Sequence, residues 1–435
     1  MASPSASPEV YGPVPSGRAA SGRLAVPGSK SLTQRYFNLA LLGRSPLVVH
    51  RPLLSEDTRN FLAGLEVTGF DVTHGVDRVT LNPNERRAGE VAPSGDIWCG
   101  AGGTMFRFLT AALTTVPGAW RLDGIPRLRE RTVAPLLAAL RQLGAEVHCP
   151  GGEGFAPLDI VGGSLRGGHA VLDSGVSSQF LSALLMAGTV TPEPVSVEVA
   201  ALTSEPYVDL TLDAIAEMGG AVTREGQVFR VEGRRPAADA ITVEADFSAV
   251  AYPAAAAALT GGRVHVESLS PASRQGDRGF VDLLARMGAE VAWRDGGLEV
   301  AGGPLHAVTE SLEAMPDQVP TLAALAPFAR GTTRILDVPH LRIKESDRLL
   351  AMATELRRVG ATVEELEDGL VIPGVWADAV PPRDPVTVDT WGDHRIAMAM
   401  ALVGLRRPGI SLRAPEVVGK SYPGFWRDLE GLIQR

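Results

Sequence analysis

The chain has 435 residues, a formal net charge of −9 and a pI of about 5.5. Its length and 45% hydrophobic content can fill two or more cores. The acidity argues against a general nucleic-acid binder, but an anionic small substrate is compatible wherever cations are gathered locally.

Residues 1–17, rich in Ser, Pro and Ala, lack the basic and apolar segments of a secretory signal and read as a flexible tail. A strand over about 20–28 leads through Pro27-Gly28-Ser29 into Lys30-Ser31-Leu32-Thr33-Gln34-Arg35-Tyr36, where a helix starts and runs on through Leu39 to Leu42. Free N–H groups and the dipole at such a start favour an anion, and Lys30 and Arg35 add full charges. A solvated cap with two surface cations is the plainer alternative. Gly100-Ala101-Gly102-Gly103-Thr104, followed by Arg107, opens a helix to close backbone approach or makes a packing turn. PRLRERT (126–132) sets Arg127, Arg129 and Arg131 around Glu130, either as a solvated face or as a fork for a carboxylate or phosphate. Ser177-Ser178-Gln179 precedes FLSALLMA, and Ser204 precedes a Pro-started helix; such groups cap helices or hold phosphate. Met315-Pro316-Asp317-Gln318 places an acid before an apolar helix, with N-capping as the ordinary role. Leu341 to Arg348, with Lys344 and Glu345, is the densest charge cluster, and Gly392-Asp393-His394-Arg395 again puts a cation at a helix start. Gly419-Lys420-Ser421 before the last helix is not a P-loop, because that motif needs Gly where Ala414 stands.

A helix, a Gly and a short strand recur as LEVTGFDV, LRQLGAEV, IAEMGGAV, LARMGAEV and LRRVGATV. Their glycines, Gly69, Gly144, Gly219, Gly288 and Gly360, lie 69–75 residues apart, and the final helix ends where a sixth would fall. This predicts about six copies of one α/β unit. The polar motifs cluster at a few helix starts, which suggests two lobes facing a cleft. The expected division is residues 29–244 as an N-terminal lobe, and residues 1–28 plus 245–435 as a C-terminal lobe, with three repeats each. Cys99 and Cys149 form no CxxC pair, lie in strand-like segments and read as buried, which points to a reducing cytoplasm. No apolar run reaches the roughly 20 residues of a membrane span. Eight histidines show no metal-ligand spacing, so neither metal nor cofactor is expected.

From about residue 22 to 426, GSKSLTQR, GGTMFR, PRLRER, SSQFLSALL, SEPYVD, PDQVPTLAALA, LRIKESDRL, GDHRIAMA and GKSYPGF together resemble the EPSP synthase family of enolpyruvyl transferases. The resemblance implies an α/β (α+β) fold, a two-lobed inside-out α/β barrel of six βαβαββ units with its active site in the cleft. It implies transfer of the enolpyruvyl group of phosphoenolpyruvate to the 5-hydroxyl of 3-phosphoshikimate, by addition and elimination through a tetrahedral intermediate, in aromatic amino acid biosynthesis. Carried over by motif, Lys30, Ser31, Arg35, Ser177, Ser178, Gln179, Ser204, Asp317 and Lys344 would hold 3-phosphoshikimate. Lys30, Gly103, Arg131, Gln179, Arg348, Arg395 and Lys420 would hold phosphoenolpyruvate. Asp317 would be the base at the 5-hydroxyl and Glu345 the acid at the methylene carbon, with Lys30 beside them as a catalytic cation. Seven cations in an acidic protein suit two polyanions, and without substrate they would repel one another. Glyphosate is expected to compete with phosphoenolpyruvate. A monomer is expected, with these small molecules as its partners.

Three residues depart from the family's usual pattern: His340 stands where Asn is common, and Ala101 and Phe108 stand where Asn and Pro are usual. The sister enzyme, UDP-N-acetylglucosamine enolpyruvyl transferase, has Lys-Asn where this chain has Lys30-Ser31, and a catalytic Cys in the loop that here holds Arg127 to Arg131. A non-catalytic anion-binding scaffold would have no use for Asp317 or Glu345.

Overall fold

The computed structural model describes residues 9–84, 93–173, 177–200 and 204–434. The chain divides into two compact units. One is Gly28–Glu244, and the other joins the residues up to Pro27 with Ala245–Arg435. Each unit has a hydrophobic core of its own.

One pattern builds both units. Strand Ser94–Trp98 passes through helix Gly103–Leu113 to the parallel strand Gly118–Asp123. Helix Ala134–Gln142 then leads to the hairpin Glu146–His148 and Leu158–Gly162, whose second strand pairs antiparallel with Gly118–Asp123. The spatial order is first, second, fourth, third. The strands Gly168–Leu172, Val195–Val199, Val222–Glu225 and Val228–Val231 repeat it. So do Thr309–Ser311, Thr332–Leu336, Glu364–Glu365 and Leu370–Pro373. In two further sheets the first strand comes from elsewhere in the sequence. Ala240–Thr242, at the end of its unit, lies parallel to Leu47–His50, and Gly22–Leu24 lies parallel to Arg263–Glu267. The α/β repeat is thus real, and its five glycines all have positive φ, from +81° to +110°. Each one ends a helix in a conformation that costs a side-chain-bearing residue energy.

The sixth sheet departs from the expected βαβαββ unit. Val386–Val388 and Ile410–Arg413 are parallel, but they are followed by helix Phe425–Ile433 and, among the described residues, by no hairpin. The place beside Ile410–Arg413 is taken by Val10–Tyr11, antiparallel to it, so this sheet has three strands among the described residues where the other five have four. The reading of residues 1–17 as a flexible tail is therefore corrected from Glu9 onward; residues 1–8 lie outside the described residues. An open strand edge needs partners for its N–H and C=O groups. Ala414 N donates to Glu9 O, Val14 N donates to Ile410 O, and Val14 is buried.

Each unit has three largely buried helices packed against one another. Lys30–Gly43, Gly103–Leu113 and Ser178–Gly188 pack together in one unit, as Phe247–Thr260, Val319–Leu325 and His394–Arg406 do in the other. The Ala-rich stretch of Phe247–Thr260 is wholly buried. Cys99 is buried as expected, but Cys149 is only half-buried, because it follows strand Glu146–His148 rather than lying inside it. No helix among the described residues is long and apolar enough to cross a membrane.

Candidate active site

In the Gly28–Glu244 unit three of the motifs occupy the N-termini of the three packed helices. Ser29 caps the first, its hydroxyl accepting from Leu32 N, and Ser177 caps the third, accepting from Gln179 N. Ser204, at φ +53°, sits before helix Glu205–Glu217. Lys30 lies within 3.6 Å of Asp57 Oδ2, and both are largely buried. Gln179 is tied to the second helix: its Oε1 accepts from Arg107 Nη1 at 2.6 Å, and its Nε2 donates to Thr104 Oγ1 at 3.1 Å. The amide plane is thereby fixed, so Gln179 does more than begin a helix.

Arg35 is 1% exposed. It donates to Thr211 Oγ1, Ser31 O and Tyr207 O at 2.7–2.8 Å and lies 5.4 Å above the Phe108 ring. Burial lowers its pKa to about 10. Three of its five N–H groups serve the scaffold. The Phe108 departure thus supplies a face on which Arg35 rests.

PRLRERT divides into two roles. Arg127 pairs with Glu130 and Arg129 with Asp123 on the surface, as the solvated reading requires. Arg131 instead lies against Gly103, where a Cβ would come within 2.6 Å of its Nη1. The glycine makes room for that guanidinium.

The other unit gathers a compact charge network. Arg348 is buried; its Nη1 donates to Asp317 Oδ1 at 2.8 Å, its Nη2 to Glu345 Oε2 at 3.1 Å and its Nε to Asp393 Oδ2 at 2.8 Å. Arg395 Nη2 donates to Asp317 Oδ2 at 2.6 Å, and Lys420 Nζ to Glu345 Oε1 at 3.2 Å. Three cations thus meet three carboxylates. Asp317 is not an N-cap: it sits in the turn Pro316–Gln318 and receives two arginines. Lys344 is half-buried beside this network. His340 is pushed down to about 4 by burial and then by the Lys344 charge, so it is neutral at physiological pH.

The expected mutual repulsion of unliganded cations does not hold for Lys30, Arg348, Arg395 and Lys420, each of which faces a carboxylate. Asp57 and Asp393 were not among the sequence-derived site residues. Asp393 is fully buried; it caps helix His394–Arg406 through Oδ1 while Oδ2 holds Arg348 and Ser346. Its only sequence signal is Gly-Asp before a helix, which capping already explains.

A family model described as EPSP synthase (3-phosphoshikimate 1-carboxyvinyltransferase) matches residues 14–429. The 3-phosphoshikimate 1-carboxyvinyltransferase of Syntrophobacter fumaroxidans is 43% identical over 414 residues, covering 94% of this chain and 96% of its own. That of Pseudoalteromonas translucida is 37% identical over 419 residues, covering 95% and 97%. The solved EPSP synthase of Acinetobacter baumannii superposes with a TM-score of 0.81 at 27% identity, over 96% of this chain and 97% of that one.

Proposed function

The chain belongs to the EPSP synthase family, and from that premise we propose how its residues carry the reaction. The enzyme transfers the enolpyruvyl group of phosphoenolpyruvate to the 5-hydroxyl of 3-phosphoshikimate and releases phosphate, a step of aromatic amino acid biosynthesis. In the Gly28–Glu244 unit, Lys30, Ser31, Arg35, Ser177, Ser178, Gln179 and Ser204 hold 3-phosphoshikimate, while Lys30, Gly103, Arg131 and Gln179 receive phosphoenolpyruvate. In the other unit, Asp317 and Lys344 bind 3-phosphoshikimate, and Arg348, Arg395 and Lys420 bind phosphoenolpyruvate. The protein works in the cytoplasm as a monomer, without a metal or cofactor.

One observation carries the acid–base assignment: Asp317 and Glu345 are held by the two terminal nitrogens of one guanidinium, that of Arg348. A single rigid fork fixes the spacing of the two carboxyls. Asp317 takes the proton of the 5-hydroxyl as its oxygen attacks C2 of phosphoenolpyruvate, and Glu345 gives a proton to the methylene carbon. Lys30 and Lys420 balance the charge on the donor. Elimination then reverses the proton at carbon and expels phosphate. Positioned acids and bases of this kind contribute about 10²- to 10⁴-fold each.

The test is phosphate release from phosphoenolpyruvate, with and without 3-phosphoshikimate, in the wild type, Asp317→Ala and Glu345→Ala. Release that needs 3-phosphoshikimate and falls about 10²- to 10⁴-fold in each variant is expected. Release with UDP-N-acetylglucosamine instead would assign the chain to the sister reaction. Variants as active as the wild type would remove Asp317 and Glu345 from their roles.

A further inference from the structure

Lys420 enters the charge network from a segment with little regular structure. Strand Ile410–Arg413 ends at Ala414, in the left-handed region at φ +49°, and the short 3-10 turn Pro415–Lys420 follows directly. A strained, tight connection keeps its geometry only where its surroundings over-determine it, and the N-terminal strand Val10–Tyr11 supplies much of that surrounding. Glu9 O accepts from Ala414 N at 2.9 Å. Trp426 Nε1 donates to Pro415 O at 2.9 Å, so the indole holds the first residue of the turn. Tyr11 stacks on that indole, with ring centroids 4.0 Å apart, and its hydroxyl donates to Glu430 Oε1 at 2.7 Å. Phe425 abuts the same indole edge-on at 4.9 Å. Both ends of this relay are fixed: Tyr11 pairs with Leu412 in the sheet, and Lys420 Nζ reaches Glu345.

We propose that Tyr11 is a positioning residue for Lys420, acting through Trp426 and the Pro415–Lys420 turn, so that the strand Val10–Tyr11 tunes the enzyme's hold on phosphoenolpyruvate. This rests on the reading of Lys420 as a phosphoenolpyruvate ligand. The effect is selective. Tyr11 reaches the Pro415–Lys420 turn through Trp426, and of the nine proposed 3-phosphoshikimate residues only Asp317 and Lys344 share a unit with that turn, the other seven belonging to the Gly28–Glu244 unit. Small displacements of a charged ligand group change binding and rate several-fold.

The experiment measures kcat and both KM values on the full chain for the wild type, Tyr11→Ala, Tyr11→Phe, Trp426→Phe and Lys420→Ala. Tyr11→Ala is expected to raise the KM for phosphoenolpyruvate about three- to ten-fold while the KM for 3-phosphoshikimate stays within about two-fold. Tyr11→Phe keeps the ring stack and restores most of the loss. If Tyr11→Ala does not fold, Trp426→Phe, which keeps an aromatic ring and removes the bond to Pro415 O, shows the same split. A Tyr11→Ala or Trp426→Phe enzyme with a lower Tm and no split between the two KM values makes the strand a stability element only and overturns the proposal. A Lys420→Ala enzyme with an unchanged KM for phosphoenolpyruvate overturns it by a different route, since the ligand role of Lys420 itself is then wrong.

Discussion

Asp277 is a carboxyl with unusual surroundings. It is 3% exposed and shares a hydrogen bond with Ser248 Oγ through Oδ2, and its Oδ1 has no hydrogen-bond partner among the described residues. Burial, and then the Asp317 charge, push its pKa up from 3.8 to about 6. Its folded pKa therefore lies above its unfolded one. The folded state holds more protons between those values, so stability falls as pH rises from about 4 to about 6 and stays lowered above that. Asp277→Asn removes the titration. It is expected to gain up to about 3 kcal/mol over the wild type at pH 7.5 and to lose that gain at pH 4. Equal differences in unfolding free energy at both pH values would rule out Asp277 as the origin. At this scale the sequence shows residue types but not double duties. Asp317 looks like an N-cap and receives two arginines instead. Asp393 is an N-cap and also clasps Arg348, a second role hidden behind the first. Asp57 hides equally well, because an acid in the first turn of helix Glu56–Val67 already suits the helix dipole.

Elements were more legible where a backbone requirement repeats. The five helix-stop glycines reveal the repeat because each needs positive φ, a demand local to a few residues. They are not equivalent in space. A Cβ on Gly69 (φ +90°) meets nothing within 4 Å, whereas one on Gly288 (φ +110°) would lie 2.5 Å from the carbonyl oxygen of Pro304. Gly69→Ala is expected to cost about 1–2 kcal/mol for the conformation alone, and Gly288→Ala clearly more, because backbone must also move. Urea unfolding of the two variants measures this, and equal costs would show that the Pro304 contact relaxes freely. The strand Val10–Tyr11 was not legible. Two residues carry no periodicity, their setting is rich in Ser and Pro, and Tyr11 finds Glu430 at a separation of 419 residues.

On the scale of the molecule, the Gly28–Glu244 unit is inserted into the other one. The two points where the chain enters and leaves it are tied on each side: Ser29 N donates to Glu244 O at 2.7 Å, and Asp246 N donates to Pro27 O at 2.9 Å. Each unit completes one of its sheets with a strand from beyond its own run of repeats, Ala240–Thr242 in one and Gly22–Leu24 in the other. The repeat was legible because five four-stranded copies and a partial sixth fill most of the described chain; the source of these closing strands was harder, since Ala240–Thr242 pairs far back along the sequence. With a separate core and three four-stranded sheets built from its own strands, residues 28–244 are expected to fold alone with a single cooperative thermal transition by circular dichroism. A broad, non-cooperative melt would show that the core depends on the other half.

The ladder that ties Ser29 to Glu244 and Asp246 to Pro27 also marks a seam in the gene. Codons 28–244 form a cassette whose two cut ends lie side by side, so removing it leaves a gap that a short linker from Pro27 to Ala245 can span. Two open reading frames, one for each half, would then each encode a unit with its own core.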